Sequence, residues 1–148
     1  MSWDSGRVRV TERDLQQIPP GNLRVPRGEF GALWTAAEEL NAANGERGVL
    51  DWAPAGVALT CRWLARAVSQ TSNGRRIPTP APVTDRAVLA FEEAIEAEYL
   101  AAEKLLARPV TPAMVITQPG YVEAVAATLR WAWRVQGAAP VLVPVAAG

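Results

Sequence analysis

Two stretches far apart in the chain share one pattern, and that pattern limits how the chain can fold. VALTCRWLAR at 57–66 and VAATLRWAWR at 125–134 both read V-A-x-T-x-R-W-x-x-R. Upstream of each lies a second matching pair, ALWTAAEEL at 32–40 and AEYLAAEKL at 97–105, which read A-x-aromatic-x-A-A-E-x-L. Eleven of the nineteen aligned positions are identical, and Trp34 against Tyr99 is a further similar pair. Four of the identities are alanine, common in this composition; the Thr, Arg, Trp and Glu matches carry the weight. The pattern points to a duplicated helix–loop–helix unit, with internal repeat 1 at about 29–69 and repeat 2 at about 94–136. Two such units are too few for a solenoid. They are expected to pack about a pseudo-two-fold axis as a four-helix core.

Hydrophobic spacing supports helices throughout. Phe30, Leu33, Trp34, Ala37 and Leu40 recur at helical intervals and predict a helix over 29–43. The next helix is predicted over 52–69, with Asp51 as its cap. Thr84 is a suitable cap for a long third helix, 85–107, striped by Val88, Phe91, Ile95, Tyr99, Ala102 and Leu106. A last helix is expected over 120–136, closed by Gly137. Shorter elements fill the gaps. Thr11 with Asp14 reads as the capped start of a short helix stopped by Pro19 and Pro20, and Thr111 as the cap of another beginning at Pro112. SQTSNGRRIPTPAPV, 69–83, reads as a loop. Alternating strand–helix patterning is missing. The expected fold class is therefore all-α, a single helical domain spanning 1–148. A partly extended N-terminal arm (1–28) and a flexible, Pro-rich C-terminal tail (138–148) flank the core.

Composition limits the chemistry. The chain has 148 residues, of which 49% are hydrophobic, enough for a packed core. Fifteen basic and fifteen acidic residues cancel, which argues against a dedicated nucleic-acid binder. The basic residues are arginines except Lys104, and with the abundance of Ala, Val and Pro this suggests a GC-rich bacterial genome. Histidine is absent, which removes His-based triads, His-ligated metals and the usual base near neutral pH. Cys61, the one cysteine, can form neither an internal disulfide nor a structural zinc site. No apolar run reaches the roughly 20 residues of a membrane span. MSWDSGRVRV lacks the apolar segment of a signal peptide, so a cytoplasmic location is expected.

No catalytic residue, metal site or cofactor emerges. The candidate binding residues are Arg62, Arg66, Arg130, Arg134 and Trp133. Each arginine pair is spaced to share a helix face, and apart from Glu123 these are the charges of their helices. Charges on such apolar helices need partners. The repeat supplies Glu38 and Glu103 at matching upstream positions, so one expectation is an ion pair used twice. The rival is a groove of arginines between the repeats that holds an anionic ligand or a partner's carboxylates. Trp63 and Trp131 are expected in the core. Trp133 has no counterpart, since Ala65 takes its place, and is expected at the surface or an interface. Glu92, Glu96 and Glu103 read as a solvated acidic face, and Cys61 as a buried thiol.

The leading functional expectation is a small non-enzymatic helical protein acting through macromolecular interaction, as an adaptor or accessory subunit, with a protein partner or as a homo-oligomer. The first alternative is a small-molecule or anion-binding domain, extending to a metal-free enzyme. The second is weak nucleic-acid binding through Arg75, Arg76 and Trp133.

Overall fold

In a computed structural model, residues 9–70 and 73–144 are described. They are mostly helical: α1 (Glu12–Gln16), α2 (Arg27–Arg47), α3 (Ala53–Leu64), α4 (Glu92–Leu106), α5 (Ala113–Thr117) and α6 (Tyr121–Ala132). A 3-10 turn, Pro20–Asn22, follows α1. Strands β1 (Val68–Gln70) and β2 (Arg76–Pro78) form an antiparallel pair after α3.

α3 and α6 pack on each other most extensively; α2 covers α3, and α4 covers α6. Their sequences explain the central position. Both are apolar nearly all round, and Val57, Ala58, Cys61, Leu64, Val122, Val125, Leu129 and Ala132 are completely buried. Trp63 and Trp131 are both buried, as is Trp34 on α2, which sits 6.0 Å from Phe30 ring to ring. The crossing is close at Gly56. A Cβ there would lie 2.5 Å from the Tyr121 carbonyl oxygen and 2.9 Å from the Ala124 Cβ, so only glycine fits. The buried Thr60 and Thr128 hydroxyls each donate to the carbonyl four residues back, Gly56 and Ala124, at 2.7 Å.

Local signals and their outcomes differ element by element. α1 has the capping box read from Thr11 and Asp14. α2 runs past Gly45 and ends at Gly48, whose φ of 68° supplies the left-handed closing residue. α3 is shorter than predicted, and part of the expected loop is the β1–β2 hairpin. The Asp51 carboxylate accepts from the Ala53 amide at 3.0 Å. α5 begins one residue after Pro112.

The largest departure is at 85–91, where a helix was expected. Asp85 is left-handed (φ 59°), and tertiary bonds take the carbonyls that a helix would use. Trp63 Nε1 donates to the Val88 carbonyl at 2.8 Å. Arg66 Nε and Asn22 Nδ2 donate to that of Ala90 at 2.8 and 3.1 Å. Further back, Tyr121 Oη donates to the Pro82 carbonyl at 2.6 Å. Buried Glu98 accepts from the Val83 amide (2.5 Å), the Thr84 amide (2.8 Å) and the Thr84 hydroxyl (2.9 Å). Thr84 thus anchors a loop instead of capping a helix.

Of the predicted N-terminal arm (1–28), residues 1–8 lie outside the described residues, as does the end of the tail at 145–148. Residues 138–144 have no regular structure, although Ala139 and Leu142 pack partly on the core. No helix among the described residues is long and apolar enough to cross a membrane.

Candidate functional site

The two glutamates and four arginines fall into two clusters with different surroundings. The first lies between α2 and α3. Arg62 donates through Nε to Glu38 Oε2 at 2.7 Å and through a terminal nitrogen to Oε1 at 2.6 Å. Trp34 Nε1, one turn before Glu38, adds a third bond to Oε2 at 3.0 Å. The Glu38 side chain is 2% exposed and that of Arg62 17%. A bidentate pair with a third donor satisfies a buried carboxylate well. Nearby Cys61 is completely buried; burial, then the charge of Glu38, pushes its thiol pKa well up. It is therefore a poor nucleophile.

The second cluster lies between α4 and α6. Arg130 donates to Glu103 Oε1, and both side chains are about 40% exposed. Hydrogen bonds to Glu103 and then Tyr99 raise the Arg130 pKa. Beside this pair, Glu96 accepts from Trp133 Nε1 at 2.9 Å and forms an ion pair with Arg134 at 3.3 Å. Arg134 also lies over the Tyr99 ring, 4.7 Å from its centre. Arg24, from the irregular segment before α2, covers the Trp133 ring at 3.9 Å. Its guanidinium has no carboxylate or hydrogen-bond partner among the described residues.

Four expectations need correction. Arg66 does not share a helix face with Arg62. α3 ends at Leu64, Arg66 is left-handed (φ 56°), and its side chain reaches the Ala90 carbonyl. Arg134 likewise follows the end of α6 at Ala132, where its amide reaches back to the Leu129 carbonyl. Trp133 is not at the surface but 4% exposed, sealed by Arg24 and Glu96. The acidic face also differs, since Glu96 and Glu103 are both engaged.

Sequence reasoning missed Arg24, Tyr99 and Glu96 as members of the second cluster. The spacing of Glu96, Tyr99 and Glu103 along one side of α4 was a usable signal. Nothing local marks Arg24, which arrives through tertiary packing. No group of three metal-ligating side chains converges among the described residues. Of the two clefts described, one lies between the 84–91 loop and α4 and the other around Val49–Asp51 and Pro119; none of the four repeat arginines lines either. The chain matches no family model, no curated protein and no solved structure.

Proposed function

We propose that this is a small non-enzymatic helical protein acting through macromolecular interaction, as an adaptor or accessory subunit. In this reading the α4–α6 face around Trp133 binds an acidic segment of a protein partner. The observation that carries it is the Arg24 guanidinium, exposed, 3.9 Å over the ring of buried Trp133 and without a carboxylate among the described residues. Such a group is held in place with its hydrogen-bonding edge free, the arrangement that suits capture of a carboxylate. Arg134 and Arg130 extend the positive surface, and Glu96 and Glu103 hold them in register. The zero net charge of the chain weighs against a nucleic-acid backbone as the ligand.

The four long helices are read as two helix–loop–helix units about a pseudo-two-fold axis, one chain-long domain with repeats at about 29–69 and 94–136. Support comes from Gly56 and Ala124, which each stand one position before the second matched block and approach closely across the α3–α6 crossing. The matched Thr60 and Thr128 bonds and the matched Glu–Arg pairs agree with it. A cytoplasmic location belongs to the same proposal. A second reading, a small anionic ligand at the same arginines, draws on the same free guanidinium.

The test uses a soluble Asp/Glu-rich peptide containing one aromatic residue, followed by the indole N–H resonance of Trp133. Binding should shift that resonance, weaken with salt, and fall at least about tenfold in Arg24→Gln/Arg134→Gln. An unmoved Trp133 resonance, or equal binding by the double variant, contradicts the proposal. A small dicarboxylate competing as well as the peptide favours the second reading, and self-association lost in the same variant favours a second copy as the partner.

A further inference from the structure

The cleft between the 84–91 loop and α4 lies on the side of α4 away from the Glu96–Tyr99–Glu103 row, and it does not depend on the α4–α6 face. Its volume is about 290 Å³. At about 30 Å³ per water-sized group, that is room for roughly ten heavy atoms. Val88, Phe91, Ala94 and Ala97 form an apolar wall, and Phe91 is left 43% exposed although it stands at the start of a helix.

Two features distinguish this cleft from a surface dent. Its loop wall is rigidly held: Glu98 binds Val83 and Thr84, and Tyr121, Trp63, Arg66 and Asn22 grip the carbonyls of Pro82, Val88 and Ala90. A site held this way loses little freedom on binding. The second feature is its charges. Arg86 and Glu93 both line the cleft, and neither side chain has a hydrogen-bond or ion-pair partner among the described residues. Glu98, the other carboxylate of the lining, is already occupied by three donors.

We propose that this cleft binds a small zwitterion with an apolar body, the chemical class of an aliphatic α-amino acid. The carboxylate pairs with Arg86, the ammonium with Glu93, and the apolar body lies on Val88, Phe91, Ala94 and Ala97. A ligand with one charge leaves the other rim group unmatched, whereas a zwitterion answers both.

The experiment is a backbone amide titration of the full chain with L-leucine, 4-methylpentanoate and 3-methylbutylamine. Leucine should saturate shifts confined to residues 84–98 and bind at least about tenfold more tightly than either analogue, the worth of one charged hydrogen bond. Arg86→Gln should weaken leucine and the acid while sparing the amine. Glu93→Gln should weaken leucine and the amine while sparing the acid. Ala97→Leu, an exposed helical position where leucine is well tolerated, should fill the cleft and abolish all three. Absence of saturable shifts at 84–98, binding that survives Ala97→Leu, or an analogue that matches leucine each overturns the proposal. Arg86 and Glu93 are both exposed, so their variants report on binding in a folded chain.

Discussion

The Glu38–Arg62 and Glu103–Arg130 pairs come from matching sequence but sit in different physical settings. In the first, both carboxylate oxygens face Arg62, Trp34 adds a third donor, and water is almost excluded. In the second, one oxygen meets Arg130, about two fifths of each side chain is wet, and Arg24, Glu96, Tyr99, Trp133 and Arg134 crowd alongside. A buried pair becomes indispensable once the fold has closed over it, because removing one partner strands the other. An exposed pair adds little stability and leaves its arginine available. The same chemical unit is thus buried at one end and about two fifths exposed at the other.

That contrast can be broken by substitution. Glu38→Ala should give the largest effect. It strands the Arg62 guanidinium and the Trp34 indole N–H, at a cost of about 3–5 kcal/mol in denaturant unfolding. Gly56→Ala comes next. Its new methyl group meets the Tyr121 carbonyl and Ala124, and the overpacking should cost about 1–3 kcal/mol. The reciprocal change Ala124→Gly adds no clash, so a loss at the lower end, about 1 kcal/mol and mostly from helix propensity, is expected. Glu103→Ala should cost no more than about 1 kcal/mol, and that cost should shrink as salt is added.

A last expected effect is alkaline. Burial, then Glu98 and Asp85, raises the Tyr121 pKa above its ordinary 10.0; burial also raises Cys61 above its ordinary 9.0. The fold therefore holds both protons more tightly than the unfolded chain does. Their contribution to stability is complete below pH 9.0; its loss begins as pH rises past 9.0 for Cys61 and past 10.0 for Tyr121, and continues up to the raised pKa of each in the fold. A melting series across that range should show the decline. In Cys61→Ala the decline should begin nearer 10.0, because Tyr121 then acts alone. Leu129 stands where α6 would carry a matching thiol, so no second thiol contributes.

The sequence revealed the helical class, the apolar character of α3 and α6, and the glutamates placed opposite Arg62 and Arg130. Each of these depends on periodicity or on the match between blocks. What it concealed depends on contacts between distant segments. Val88, Phe91 and Ile95 keep helical spacing, yet 85–91 is not helical because Trp63, Arg66 and Asn22 take its carbonyls. Trp133 looked free because it lacks a counterpart in the other block; its cover, Arg24, comes from an irregular segment with no periodic signal. The ends of α3 and α6 were also hidden, since Arg66 and Arg134 continue the arginine spacing past the last helical turn. The rigid cleft beside α4 follows from the same unforeseen loop.

The central claim, that one Glu–Arg pair is a buried support and the other an exposed one, is tested most directly by paired double-mutant cycles on Glu38/Arg62 and Glu103/Arg130, read by denaturant unfolding at low and high salt. The account predicts a coupling of about 3 kcal/mol or more for the first pair, insensitive to salt, and below about 1 kcal/mol for the second, falling with salt. Equal couplings with the same salt response would contradict it.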